Sequence, residues 1–457
     1  MTTIAEESIP RSRAGVLSPQ YRALTVGMVA LITLVAFESL AVTTAMPTVA
    51  KALDGLSLYA LAFGGPLASG VVAIVVSGTW SDLKGPTRPL WHGTAWFVAG
   101  LLIAGLAPSM EVLVAGRIIQ GYGAGLLTVA LYVVVGHLYP AELRPRIFAA
   151  FATGWVVPSL VGPAIAGLVV EHTSWRIVFL AVPVMAIPAV LVMRPGLAHA
   201  SGPTERRDQR LWDKRAMIAI AAAVGVGLLH YGGQQRGVLQ LVLLALGLAG
   251  VIVFAPKLLP SGTFRMSAGL PAAIALRGLV AASGFGAEVF LPLMLTRERG
   301  LSPAFAGLVL TISALSWTAA SWYRGRPKQP FSHGVFLQAG MISLVLGIAT
   351  AALTLSPHVP VLVGVLGWGL AGLGMGTVFP TVSVLILEYS SREEQGANSA
   401  AGQLADSLST ATVLAICGSL FAAIEPHSPT AAYLTAFGLP AALALLGVQA
   451  GRRTTTP

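Results

Sequence analysis

Long apolar runs separated by short polar breaks dominate this chain, and their lengths set the first expectation. A helix crossing a hydrocarbon core of about 30 Å needs roughly 17 to 25 mostly apolar residues. Such runs fall at 24–47, 57–80, 90–107, 111–138, 147–170, 176–193, 216–231, 238–255, 269–295, 303–322, 333–355, 360–387, 397–424 and 430–449. They predict an all-α integral membrane protein with about 14 transmembrane helices. The seventh and eighth runs are the shortest and follow the most polar stretch, 194–215, so they read as a hairpin inserted between two six-helix bundles. The expected organisation is a polar tail over 1–23, a first bundle over 24–193, a loop and inserted hairpin over 194–265, a second bundle over 266–450 and a tail over 451–457.

The fourth run is not a plain span. It carries Arg117 and then Gly121, Gly123 and Gly125. A charge inside a spanning helix is expensive, so Arg117 is expected to face protein or a polar cavity and to have a partner. The alternative is a guanidinium that snorkels to the nearby interface. The glycines leave a smooth face on which another helix, or a substrate, can approach the backbone.

With 55% hydrophobic and 10% charged residues, the 457-residue chain has too few charges to cover a soluble surface. Its net charge of +10 is better read through position than through total. With the N-terminus on the inner side, the outer segments keep only Lys51, Arg176, Arg236, Arg297 and Arg299, while Arg117 and Arg277 lie within spans. The remaining lysines and arginines fall in inner segments, as positive loops kept in the cytoplasm require. Both termini are therefore expected in the cytoplasm. The basic stretch from Arg206 to Arg215 is read as orientation and attraction to anionic lipid heads, with no nucleic-acid partner. The first run is too long for a signal-peptide core and reads as an uncleaved span.

The glycine triplet recurs as Gly372, Gly374 and Gly376 in the twelfth run, and Tyr139 after the fourth run is echoed by Tyr389 after the twelfth. The offset of about 250 residues in both cases, with both spans running in one direction, predicts two parallel repeats about an axis normal to the membrane. The position matching Arg117 is Trp368, so this charge belongs to the first half alone.

These residues resemble the major facilitator superfamily, and within it the drug:proton antiporters with fourteen spans. The loop Gly78-TWS-Asp82-LK-Gly85-PT-Arg88 is similar to the family's cytoplasmic signature, although Leu83, Pro86 and Thr87 stand where basic residues are usual. The resemblance implies a gate at Gly78, Asp82, Gly85 and Arg88; an ordinary solvated turn is the other reading. Arg117-IIQ-Gly121 matches the family's Arg-x-x-Gln-Gly element, which carries over Arg117 and Gln120. FATGWVVPSLV-Gly162-Pro163-AIA-Gly167 resembles the antiporter signature, with Ala149, Pro158 and Ala166 at positions that are usually glycine. Gly162, Pro163 and Gly167 are then expected to thin a helix at the contact between halves. Phe37-Glu38-SLAVTTAM-Pro47 is similar to the family's acid-to-proline element, with Glu38 where aspartate is usual.

What the resemblance implies is a major facilitator fold in a bacterial inner membrane, exporting amphipathic small molecules in exchange for protons as a monomer. Glu38 and Arg117 are expected at similar depth from the outer side. The protonation state that Glu38 prefers then depends on whether the guanidinium stands beside it. A fixed structural ion pair is the alternative. Glu288 is a second candidate for proton coupling or for binding a positive substrate group, or else a partner for Arg277. Asp406 is a third, its alternative being local bonding to Ser407 or Ser409. Gln120, Trp155, Phe285 and Trp368 are candidate substrate contacts; the aromatic residues read equally as lipid-facing anchors. The chain has no phosphate-binding Gly-x-x-x-x-Gly-Lys-Ser/Thr loop and no metal-ligand spacing, and a single cysteine, Cys417. No enzymatic activity, metal or cofactor is expected, only a proton gradient as driving force. Export or flipping of an endogenous metabolite or lipid, and a non-transporting sensor or scaffold, stand as the other functions.

Overall fold

The computed structural model describes residues 15–140, 143–197, 214–233, 235, 237–324, 331–391 and 394–454. Of the positions named above, Arg236 and the stretch from Arg206 as far as residue 213 lie outside the described residues, as do the side chains of Asp82 and Ala149. Within them the chain forms fourteen α-helices: α1 (Pro19–Ala52), α2 (Tyr59–Lys84), α3 (Thr87–Gly105), α4 (Met110–Leu138), α5 (Arg144–His172), α6 (Trp175–Leu197), α7 (Lys214–Gly232), α8 (Gly237–Phe254), α9 (Leu270–Arg297), α10 (Pro303–Arg324), α11 (His333–Leu353), α12 (Val361–Glu388), α13 (Gln395–Ile424) and α14 (Pro429–Arg453). Thirteen segments on these helices are long and apolar enough to cross a membrane. The protein is a multi-pass integral membrane protein.

The helix outside that set is α3, diluted by Arg88, His92 and Thr94. Its packing nonetheless requires it to cross. A Cβ at Gly93 would lie 2.7 Å from the Leu127 backbone nitrogen, and one at Gly100 would lie 2.3 Å from that of Gln120. The two helices thus run antiparallel, backbone against backbone. A second departure from the expected spans is α1, which continues through Pro47 to Ala52. Proline is tolerated in membrane helices where neighbours re-satisfy the freed backbone groups.

Packing confirms the repeat. α1 packs on α5 and α6, α2 on α4, and α3 on α4 and α6; the same pattern recurs as α9 on α13 and α14, α10 on α12, and α11 on α12 and α14. The glycine triplets occupy matching places. A Cβ at Gly121 would stand 2.3 Å from the Pro66 carbonyl of α2, and one at Gly372 would stand 2.2 Å from the Ser313 carbonyl of α10. Gly123 and Gly374 instead face α3 and α11. Alternating the glycines between two neighbours lets one helix lie backbone to backbone against both, where dispersion rather than the hydrophobic effect drives association.

Two seams join the halves, α2 against α13 and α5 against α10, and each is the image of the other under the repeat. The hairpin breaks this symmetry. α7 packs on both α2 and α13, whereas α8 packs chiefly on α7 and leaves most of its surface exposed, as a lipid-facing helix does.

Candidate functional site

Between Arg22 and Glu38 the first helix has no charged residue, so its apolar register carries the carboxyl into the interior. Glu38 is 3% exposed there and Arg117 of α4 is 6% exposed. The Arg117 Nη1 donates to Glu38 Oε1 and to Gln120 Oε1, and its Nε donates to the Ala62 carbonyl of α2 at 3.2 Å. Gln120 is one turn along from Arg117 and therefore on the same face. One guanidinium is thus held by groups from three helices of the first bundle. The site does not snorkel.

The second bundle holds a different ion pair. Arg277 of α9 donates through Nε to Asp406 Oδ2 of α13 at 2.9 Å and through Nη1 to Ser383 Oγ of α12 at 2.8 Å. The reading of Arg277 as a partner for Glu288 is therefore corrected, as is local bonding of Asp406 to its serine neighbours. The Asp406 Oδ1 is buried and has no hydrogen-bond partner among the described residues. Under the repeat, α1 with α4 corresponds to α9 with α12, so this pair is not the image of the Glu38–Arg117 pair.

The halves also meet at the end away from the chain termini. The Tyr59 hydroxyl, at the start of α2, donates to the Val289 carbonyl of α9 at 2.8 Å, and its ring lies 6.2 Å from that of Phe290. A Cβ at Gly167 would lie 2.5 Å from Ala304 Cα, and one at Gly307 would lie 2.4 Å from the Pro163 carbonyl. A profile described as Major Facilitator Superfamily matches residues 28–413 of this chain.

The chain belongs to the Major Facilitator Superfamily. Multidrug transporter protein MdtP of Bacillus subtilis (strain 168) is 25% identical over 389 residues, covering 83% of this chain and 71% of that protein. Multidrug efflux pump SdrM of Staphylococcus aureus (strain N315) is 24% identical over 364 residues, covering 78% and 80%. Among solved structures, a POT family transporter in complex with 5-aminolevulinic acid aligns with a TM-score of 0.70 at 16% identity over 95% of this chain and 96% of that one, a likeness of fold.

In this facilitator the proline and glycine of the antiporter-like signature divide their work. Pro163 and Gly167 meet α10 of the opposite half, while Gly162 faces Phe37 and Leu40 of α1 in its own half. In the loop signature, Gly85 caps α2 at φ 76°, a conformation that favours glycine, and its N–H reaches the Ser81 carbonyl. Gly78 has open space around it and Arg88 is exposed at the start of α3. For Asp82 only the backbone, in the last turn of α2, is described.

The candidate substrate contacts separate. Gln120 is 3% exposed and engaged by Arg117, which makes it a positioning group for the guanidinium instead of an open contact. Trp368 is fully buried, its indole N–H without an acceptor among the described residues, so it is neither a cavity wall nor a lipid anchor. Trp155 is 45% exposed on α5. Phe285 is half-buried within a cluster that sequence reading missed: Trp317 of α10 and Phe379 of α12 lie 6.1 and 6.0 Å from it, ring centre to ring centre, and 5.2 Å from each other. No local signal marks that cluster, because its members come from three helices and the repeat has no aromatic equivalent. The Glu288 carboxyl, half-buried on α9, has no hydrogen-bond or ion-pair partner among the described residues.

Proposed function

We propose that this facilitator is a proton-coupled exporter of amphipathic small molecules, working by alternating access in a bacterial inner membrane with both termini cytoplasmic. The observation that carries the reading is the buried Glu38–Arg117 ion pair, held with Gln120 inside one bundle and across no seam. A pair that only tied the halves together would bridge them. This one stands beside α2, which takes part in the α2/α13 seam, and so feels the rocking of the halves through the Ala62 carbonyl. Taking a proton onto Glu38 frees the guanidinium, and releasing it restores the pair; in this cycle Arg117 is the counter-charge and Gln120 keeps it in place. In this reading the contacts at Tyr59, Gly167 and Gly307 are those that close the outer end. Asp406 with Arg277 assists from the second bundle.

Relatives named as multidrug transporters support export, and a chain so poor in charge supports substrates that reach it through the bilayer. The test is transport in proteoliposomes with an imposed pH gradient. The wild type is expected to move a fluorescent amphipathic dye against its gradient and to dissipate the proton gradient when dye is added. Glu38→Gln is expected to lose gradient-driven transport at least about tenfold while keeping dye exchange, because a neutral side chain cannot cycle a proton. Dye movement that ignores the gradient and the substitution alike overturns the reading. Flipping of labelled lipid in the same vesicles, in place of dye transport, would favour a lipid substrate.

A further inference from the structure

Each bundle ends in a helix that lies against its third, and each of these last helices carries an arginine near the end where the chain termini sit, Arg194 on α6 and Arg452 on α14. The two arginines meet different neighbours. Gly93 of α3 and Gly340 of α11 stand in register, a Cβ at either lying 3.0 Å from the carbonyl oxygen of the middle glycine of the repeated triplet, Gly123 or Gly374. Two residues before them come Trp91 and Gln338. In the second bundle Arg452 Nε donates to Gln338 Oε1 at 3.4 Å. In the first, the matching side chain is an indole, which donates a hydrogen bond and cannot accept one, and Arg194 has no hydrogen-bond or ion-pair partner among the described residues. Where the second bundle has that contact, the first has a cavity of about 560 Å³, lined by Thr87 and Trp91 of α3 and by Leu191, Arg194 and Leu197 of α6.

The surroundings of the cavity define what fits it. None of the five lining residues is acidic. Arg88, exposed beside Thr87 in the first turn of α3, and the positive end of that 19-residue helix add to the charge of Arg194. An anion is therefore favoured over a zwitterion, whose ammonium group would find no carboxylate among the lining residues. Away from the termini, α6 continues from Arg194 as an apolar stripe. Leu191, Ile187 and Val184 follow at spacings of three and four residues, on one helical face, and are 50, 46 and 72% exposed. From Arg194 to Val184 the helix rises about 15 Å, half of a hydrocarbon core of roughly 30 Å, so the stripe is as long as one leaflet is deep. The Trp91 indole suits the boundary between head groups and hydrocarbon. A phosphate seated at Arg194 with an acyl chain laid along the stripe engages all of these features. Free phosphate would leave the stripe bare, and a neutral lipid would leave the arginine without an anion.

We infer that the cavity between α3 and α6 is a binding site for an anionic phospholipid, with Arg194 on the phosphate, apart from the Glu38–Arg117 pair and from both seams. Only its assignment to the inner leaflet rests on the proposed topology; lipid binding there does not depend on proton coupling. The full chain, purified in detergent, is titrated with phosphatidylglycerol and with phosphatidylethanolamine of the same acyl chains, and bound lipid is counted by native mass spectrometry. Wild type is expected to prefer phosphatidylglycerol. Arg194→Gln is expected to weaken phosphatidylglycerol about fivefold, the worth of one basic residue at an anionic surface, and to change phosphatidylethanolamine less than about twofold. Arg194→Lys, which keeps the charge, retains the preference. Arg452→Gln removes a charge at the same end whose guanidinium is already engaged by Gln338, and is expected to change either lipid less than about twofold. Inorganic phosphate in excess is expected to leave the bound lipid in place. Size-exclusion profiles establish that each variant is folded. The site is refuted if wild type binds the two lipids alike, if Arg194→Gln and Arg452→Gln lose phosphatidylglycerol equally, or if inorganic phosphate displaces it.

Discussion

Glu38 and Arg117 stand 79 residues apart in the chain and in direct contact inside the first bundle, with Gln120 bracing the same guanidinium nitrogen. Both are almost wholly buried. Their energetic coupling follows from that burial, because removing one partner strands the other in a medium that solvates it poorly.

Arg117→Ala is therefore expected to lower stability by about 3 to 5 kcal/mol. The double substitution Glu38→Gln with Arg117→Gln, which leaves no charge behind, is expected to be less destabilised than Arg117→Ala alone. Thermal unfolding of the purified proteins in detergent measures the difference. Additive losses from the two positions would show that the groups are not coupled.

Glycines of the repeated triplet make a steric prediction. A Cβ at Gly123 would lie 2.2 Å from the Phe97 backbone nitrogen, so Gly123→Val must push α3 and α4 apart. Overpacking of this kind costs about 1 to 3 kcal/mol or more. Gly227 on α7 has nothing within 4 Å, and Gly227→Ala is expected to be neutral or to stabilise by up to about 1 kcal/mol through helix propensity. Midpoint temperatures of the two variants should move in opposite directions or, at the least, differ by several degrees.

Tyr59→Phe deletes the hydroxyl that reaches the Val289 carbonyl across the halves and leaves the ring packing in place. A net loss of about 0.5 to 1.5 kcal/mol is expected for the closed end. That corresponds to a roughly 2- to 12-fold rise in the population open on that side. Spin labels placed on α2 and α9 at that end, read by pulsed dipolar spectroscopy, should report more of the long-distance state. An unchanged distribution would show that the hydrogen bond does not help hold the end shut.

Gly85→Ala tests the turn between α2 and α3. At φ 76° an L side chain is strained, and a cost of about 1 to 2 kcal/mol is expected. Because the strain is confined to one end of α2, the loss should be local. Hydrogen exchange is expected to accelerate in the last turn of α2 and the first of α3, while amides around Arg117 keep their protection.

Much of this architecture is legible in the sequence for a simple reason: in a bilayer, length and apolar character determine a helix almost without tertiary help. The ends of α4, α9 and α13 match the expected runs to within about three residues, which is the usual disagreement over helix ends. Helix α1 runs on past Pro47 because a proline stops a helix in water more surely than in a packed bundle. Side-chain partners are less legible. Depth along a helix could bring Glu38 to the level of Arg117, since both positions are read from one membrane face. Arg277 has two candidate acids, Glu288 on its own helix but roughly 16 Å along it, and Asp406 on α13, which the packing of α9 on α13 brings into contact. Trp368 looked like a cavity wall because periodicity gives the face of a helix without saying which neighbour covers it. The cluster of Phe285, Trp317 and Phe379 could not be read at all, because three rings on three helices meet only after the helices are placed.

The inserted hairpin has a consequence for how the molecule meets its surroundings. With α7 laid over the junction of α2 and α13, and α8 turned toward lipid beyond it, one flank is shuttered by two extra crossings while the junction of α5 and α10 has no such cover among the described helices. A body that would otherwise look alike from either side thus has a back and a front. Any molecule that slips in sideways from the surrounding lipid meets a bare doorway on one flank and a wall on the other.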